Sequence, residues 1–551
     1  MREKFLTAVE IIFLLTPVAC VQIIFKLPEE MDTNFAMNLG RYILENGVPH
    51  VDPFTIHEGI HLVAQQWLSG VVFWEAYKNF GVTGLKLEDF FCAALMILIH
   101  WRLCLFVSGG NKILSLALSF VATFVTATSI VPRPQIFSTP ILLTEIFLLE
   151  KFTRTGNAKF LLPLPLMSVA LINLHAAVWQ MMFVLAAPFF FVKNLRHAKF
   201  LLAALAGIFV GGLINPYGVE AMTYVFRSYG VAQINAHISE MFSPSAQAWS
   251  GKIFYAAEAF LIFTFAKFKL PWRYVFLSGG LTYLALMHDR NLLLFYFLAT
   301  FPLACAWKDF SVEKIFPTGD EKFPNRIPLT ILFFVLLFVN TVVSVIILQD
   351  GLADLSTPAK ILFFIVMLFL LYNLLVFRRE GRVLHPAILP RKNFSLLVAA
   401  VIVCGIFSVS LADEKDETDK IFTPALEFLL EHERPENISL WIPQGGGGLA
   451  GMFDVKYYID ARSEVFIPAN SGLEKDIFGE YVDLLTGKLY YKDFFDRYNF
   501  THIIISSENP LLYNALSHDE NFKVIYEREH KNEDDSDAKA VTCKILIPSG
   551  D

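Results

Sequence analysis

Long apolar runs separated by short polar breaks fill the chain as far as Leu411. A membrane span needs roughly 20 apolar residues. Runs of that kind start near Phe5, Asp89, Ile113, Ile136, Phe160, Ala177, Phe200, Ile253, Tyr274, Asn291, Ile327, Ile361 and Phe394. They predict about thirteen spans, with ends good to a few residues. Residues 67–80 are apolar but short, carry Glu75 and Lys78 and end at a glycine, so they read as an interfacial helix rather than a span. Beyond Leu411 the pattern changes. Residues 413–420 form a charged linker. Strand-like runs at 438–442, 456–459, 501–505, 522–526 and 541–547 then alternate with helical runs at 424–432, 473–485, 490–498 and 510–516. The pattern predicts a polytopic α-helical membrane domain over 1–411, with outer loops at 28–88 and 216–251. A small α/β domain is predicted over 412–551.

Composition agrees with the pattern. The chain is 55% hydrophobic with 54 Phe and a mean hydropathy of +0.50, which excludes an ordinary soluble globular protein. A net charge of −7 excludes the basic footprint of a nucleic-acid binder. The six cysteines show no metal-ligand spacing. The N-terminal run continues past Cys20 to Phe25 and reads as an uncleaved first span, with a cleaved signal as the alternative.

The distribution of Lys and Arg orients the spans. With the N-terminus inside, alternate loops hold Lys112, then Lys151, Arg154 and Lys159, then Lys193, Arg196 and Lys199, then Lys267, Lys269 and Arg273, then the basic run 378–392. All fall on the cytoplasmic side, which puts the C-terminal domain outside. The outer ends then carry Asp32, the segment 131–135 around Arg133 and Gln135, His175 after Asn173, Asn215 to Gly218 around Tyr217, the loop holding Glu240, and His288 to Arg290. Polar groups gathered on one side of a membrane domain point to one extracytoplasmic site, because Arg and His near a bilayer are costly to keep.

Asp32 stands just past a span end, where a carboxylate can take a proton from an attacking hydroxyl; a helix cap is the alternative. Arg133, fixed between Pro132 and Pro134, suits a lipid phosphate or an interface anchor. His175 could donate to a phosphate oxygen or satisfy backbone groups in a helix hairpin, and Arg290 admits the same two readings. Arg41, Gln135, Tyr217, Glu240 and His288 are candidate substrate contacts. His57 to His61 match H-E-x-x-H, but Gly59 and the loop-like flank speak against a zinc helix. Gln444 to Gly448 lack the Lys-Ser/Thr of a phosphate loop and read as a flexible turn. Asp460 and Arg462 read as an internal ion pair.

The early Asp after a first span, Gly-Arg-x-Ile-Leu-x-x-Gly, and then Trp-Leu opening an interfacial helix resemble the GT-C superfamily of integral-membrane glycosyltransferases, closest to the bacterial branch of aminoarabinose and protein O-mannosyl transferases. The layout covers roughly Met1 to Arg290. RPQIFS, NLH, INPYG and YYIDARSE resemble a bacterial subgroup with a C-terminal outer domain. The resemblance implies an enzyme of the bacterial plasma membrane. Its donor would be a polyprenyl-phosphate-linked sugar and its acceptor extracytoplasmic. Asp32 would be the base, and Arg133, His175 and Arg290 the phosphate contacts. A single Asp stands here where some members have paired acids, so a divalent metal stays open and no other cofactor is implied. A transporter of lipid-linked glycans and a non-catalytic envelope assembly factor are the competing readings.

Overall fold

The computed structural model describes residues 14–15, 31–126, 129–191, 195–310, 421–530 and 540–549. The expected spans near Ile327, Ile361 and Phe394, nearly all of the first one, the basic run 378–392 and the 411/412 boundary lie outside the described residues.

Much of the expected outer loop 28–88 is helical. Helix α1 (Met31–Asn46) buries Phe35, Leu39 and Ile43, an i, i+4, i+8 series on one face. Asp32 lies in its first turn, where the helix dipole favours a carboxylate. Gly47, at φ 84°, ends it with an N–H donated to the Ile43 carbonyl. Polar residues between the apolar ones hid this helix from a hydropathy reading. Helix α1 crosses α2 (Trp67–Val107) at Gly40 and Gly70, so closely that a Cβ on Gly40 would stand 2.0 Å from the Gly70 carbonyl oxygen.

Helix α2 is two arms, 67–80 and 82–107, divided at Gly81 (φ 60°, ψ −151°), a conformation essentially reserved for glycine. The break falls where the interfacial helix was expected to end. Helices α3 (Lys112–Thr126), α4 (Gln135–Thr155), α5 (Leu164–Leu174), α6 (Met181–Ala186), α7 (Leu195–Gly212), α8 (Trp249–Lys267) and α9 (Trp272–Met287) follow. Among the described helices only α2 is long and apolar enough to cross a membrane by length and composition. Lys112–Thr126, Ala158–Leu174 and Ala176–Phe190 are shorter apolar pieces, the last two divided at His175.

Beyond the helical part, α10 (Thr423–His432), β1 (Ser439–Trp441), α11 (Gln444–Met452), β2 (Lys456–Tyr457), α12 (Ile477–Leu485), β3 (His502–Ser506), α13 (Pro510–Ser517), β4 (Phe522–His530) and β5 (Val541–Pro548) form a five-stranded sheet with flanking helices. The strand order is β2-β1-β3-β5-β4. β1 is parallel to β2 and β3, with Trp441 beside Ile503, and β5 runs antiparallel to β3 and β4. The glycine run is no flexible turn. It opens α11, which lies against α1 at a distance only glycine permits: a Cβ on Gly448 would be 2.9 Å from the Phe35 nitrogen, and one on Gly451 2.3 Å from Asn38 Nδ2.

Candidate active site

The sheet-facing end of the helical part brings together residues far apart in sequence. The Thr33 hydroxyl donates to the Pro132 carbonyl at 2.8 Å, tying the first turn of α1 to the segment entering α4. Two prolines and an Arg133 N–H donated to the Val131 carbonyl hold that segment in a tight turn. Arg133 is thereby aimed at Asp32. Its Nη2 is 3.1 Å from Asp32 Oδ2, and its Nη1 is 2.7 Å from Glu240 Oε1. One guanidinium thus bridges two carboxylates, the second from the short helix Ser239–Met241.

Burial raises the Asp32 pKa above its usual 3.8, and Glu240 adds to the rise; Arg133 and, more weakly, Arg290 oppose it. The tip of the side chain, 39% exposed, still reaches solvent. Asp32 is therefore a stronger base than an ordinary aspartate while remaining accessible. Arg290 follows the buried His288, whose Nδ1–H donates to the Met241 carbonyl (2.6 Å), and the Asp289 N–H, which donates to the Phe242 carbonyl. These bonds hold 239–242 against 288–290. Arg290 is exposed, touches Met241 Sδ at 3.8 Å, and forms no ion pair within 4 Å among the described residues. It is the cation of this end with unused donors.

His175 caps α5, and the Gln65 carbonyl fixes its neighbour Ala176 through a 2.8 Å bond. Trp67 Nε1 donates to Asn173 Oδ1 and the Ser69 hydroxyl to the Leu174 carbonyl, pinning this turn to the start of α2. His175 Nδ1 meets the Ser138 hydroxyl at 3.2 Å, one turn into α4 from Arg133. Burial, helped by Arg290, pushes its pKa down to about 3. Burial thus favours the neutral imidazole, which can offer one neutral hydrogen bond.

Two candidate substrate contacts are structural. Arg41 spends its donors on the Gly451 and Met452 carbonyls, Asn38 Oδ1 and Asp454 Oδ1 (2.6 Å), tying α1 to the C-terminal end of α11. The Tyr217 hydroxyl donates to the buried Pro49 carbonyl at 2.7 Å, beside an Asn215 turn that ends at Gly218 (φ 55°). The Gln135 side chain, half-buried at the first turn of α4, makes no hydrogen bond among the described residues. His57 and His61 sit in a non-helical loop with separate partners, the Tyr458 carbonyl at 2.9 Å and Glu220 Oε1 at 2.7 Å. The geometry of a zinc helix is absent there.

The expected Asp460–Arg462 ion pair forms, but its tie to Asp52 was not foreseen. Arg462 is buried and pairs with Asp460 and also with Asp52 of the 47–66 loop, each at 2.6 Å, while its guanidinium lies 4.1 Å from the Phe35 ring centre. The Tyr457 hydroxyl donates to the same Asp460. Next along the chain, Glu464 enters the field of Asp32 and Arg290. The signal was charged residues at 460, 462 and 464 inside an otherwise apolar stretch.

No family model and no curated protein matches the chain. Among solved structures, the chain is similar to ArnT from Cupriavidus metallidurans in the apo state, with a TM-score of 0.52 and 11% identity over 97% of both chains. ArnT bound to undecaprenyl phosphate gives a TM-score of 0.49 and 11% identity over 96% of this chain and 97% of that one. The Archaeoglobus fulgidus oligosaccharyltransferase tethered to an acceptor peptide gives 0.44 and 11%, over 92% and 69%. The likeness to apo ArnT shows a shared fold.

Proposed function

We propose that the chain is a membrane glycosyltransferase moving a sugar from a polyprenyl-phosphate donor to an extracytoplasmic acceptor. The observation that carries this reading is the Asp32–Arg133 contact at the end of the bundle, with Arg290 unpaired beside it. ArnT, whose apo fold is shared, has been captured with undecaprenyl phosphate bound. A sugar linked to such a lipid phosphate is already activated, so no nucleotide site is needed.

In the proposed reaction an acceptor hydroxyl attacks the anomeric carbon. The new C–O bond forms as the bond from that carbon to the phosphate oxygen breaks. Asp32 takes the hydroxyl proton. The phosphodiester leaves as a phosphomonoester with one more negative charge, which Arg290 meets directly and Arg133 from its place between Asp32 and Glu240. His175 adds a neutral donor.

The proposed topology has about thirteen spans with the N-terminus inside, and the sheet and site outside. Its support is the opposite end of the helical part, where Arg154 caps the Phe106 and Val107 carbonyls and Arg273 pairs with Glu150 at 2.8 Å, a basic end away from the sheet.

One observation favours the transporter reading. Glu145, midway along α4, is fully buried with no hydrogen bond to either carboxylate oxygen among the described residues. The two readings part on one experiment. Purified protein in liposomes with undecaprenyl-phosphate-linked hexoses should release undecaprenyl phosphate when an acceptor extract is added on the sheet side. Movement of the intact lipid-linked sugar across the bilayer without its cleavage would support transport instead.

A further inference from the structure

Glu464 belongs to the sheet-bearing part of the chain, yet it faces the helical part. It lies in the short helix Ser463–Phe466, and its backbone is held on several sides. Arg462, one residue before the helix, is locked by Asp52 and Asp460. Gln444 Nε2 donates to the Ser463 hydroxyl at 2.7 Å, and Asn470 Nδ2 to the Glu464 carbonyl at 2.8 Å. A side chain on so fixed a backbone is well placed to orient a ligand.

Its own bonds are sparse. Gln65 Nε2 reaches Glu464 Oε1 at a long 3.4 Å, and the residue's own backbone N–H also bonds the carboxylate. Gln65 also holds the 175–176 turn through its backbone carbonyl, and its side-chain oxygen is buried without a partner among the described residues. Glu464 therefore stands beside Gln65 and the His175 turn, and the charges of Asp32 and Arg290 act on its carboxylate.

Resting on the glycosyltransferase reading, we infer that Glu464 is a sugar-binding residue that positions the transferred sugar through hydroxyl hydrogen bonds. An ionised carboxylate only accepts, so its natural partners are hydroxyl donors, and it repels a phosphate. Arg290 lies within the field of both carboxylates. A phosphosugar with its phosphate on Arg290 would extend its ring between Asp32, at the anomeric carbon, and Glu464, at the ring hydroxyls. Burial raises the Glu464 pKa, and Asp32 adds to the rise.

The test compares two probes on purified full-length protein: undecaprenyl phosphate and a panel of undecaprenyl-phosphate-linked hexoses. Glu464→Gln should bind the bare lipid within about twofold of wild type, or tighter, and lose about 10- to 100-fold on the sugar-linked form that wild type prefers. Glu464→Asp, which keeps the charge but withdraws the oxygens, should show the same selective loss with an unchanged melting temperature. Equal losses on both probes in both variants, or no loss on either, would overturn the inference. Wild type that binds neither probe would overturn the glycosyltransferase reading itself, and this assignment with it.

Discussion

Arg133 Nη2 stands 3.1 Å from Asp32 Oδ2, joining the first turn of α1 to the entry of α4. Glu240 holds the other arm of the same guanidinium at 2.7 Å. Arg133 is the largest influence lowering the Asp32 pKa against the effect of burial. Removing it should therefore raise that pKa further. The acidic limb of kcat/KM, which reports the ionised base in the free enzyme, should already lie above pH 3.8 in wild type and should move to higher pH in Arg133→Ala. The sign follows directly: a base with a higher pKa is lost to protonation sooner as pH falls. A pH–rate profile on both proteins checks it, with Arg133→Lys restoring part of the shift.

Arg290 differs from Arg133 in having no carboxylate within ion-pair distance among the described residues. Arg290→Ala should weaken donor binding by about 10- to 100-fold, the loss of a charge-assisted hydrogen bond to phosphate. It should leave folding intact, because the exposed guanidinium holds nothing together. Titration with undecaprenyl phosphate, beside a melting curve, separates the two effects.

The crossing of α1 and α2 sets where Asp32 lies. Gly40→Ala would press a Cβ to 2.0 Å from the Gly70 carbonyl oxygen. Backbone, not a flexible side chain, is in the way, so the helices must part. The expected cost is about 1–3 kcal/mol or more, read as a lower melting temperature in detergent, with activity falling as α1 shifts.

Arg462→Ala should be more damaging. It leaves Asp52 and Asp460 buried without their cation, a loss of about 3–5 kcal/mol for a broken buried pair. Arg462→Met, close in volume, should do no better, because the orphaned carboxylates remain. Thermal unfolding measures both variants.

The described elements show what a sequence can and cannot reveal. The five strands fall on the five strand-like runs, because alternating apolar residues bounded by turn residues mark strands locally. Asp32, Arg133, Glu240 and Arg290 were legible as polar groups at apolar run ends, and that pattern needs no tertiary contact to be seen. Helix α1 was not, since its buried face includes Thr33, Asn38 and Gly40, which hydropathy counts as polar or neutral. The partners of Arg41 and Tyr217 were not legible, because the carbonyls of Gly451, Met452 and Pro49 leave no trace in residue type and Asp454 lies far along the chain. Glu464 was missed because long-range contacts, such as α11 on α1 and Arg462 on Asp52, bring the sheet against the helical part. The charge state of His175 depends on burial, which the sequence does not state.

The central claim is that Asp32 is the base of a sugar transfer from a lipid phosphate. Asp32→Asn keeps the shape and the Arg133 neighbour while removing the proton acceptor. The decisive measurement is single-turnover transfer from an undecaprenyl-phosphate-linked sugar by wild type and Asp32→Asn, with undecaprenyl phosphate binding recorded on the same preparations. The account predicts that the variant binds the lipid about as well as wild type while transfer falls by about 100-fold or more. Transfer at the wild-type rate by Asp32→Asn would contradict it.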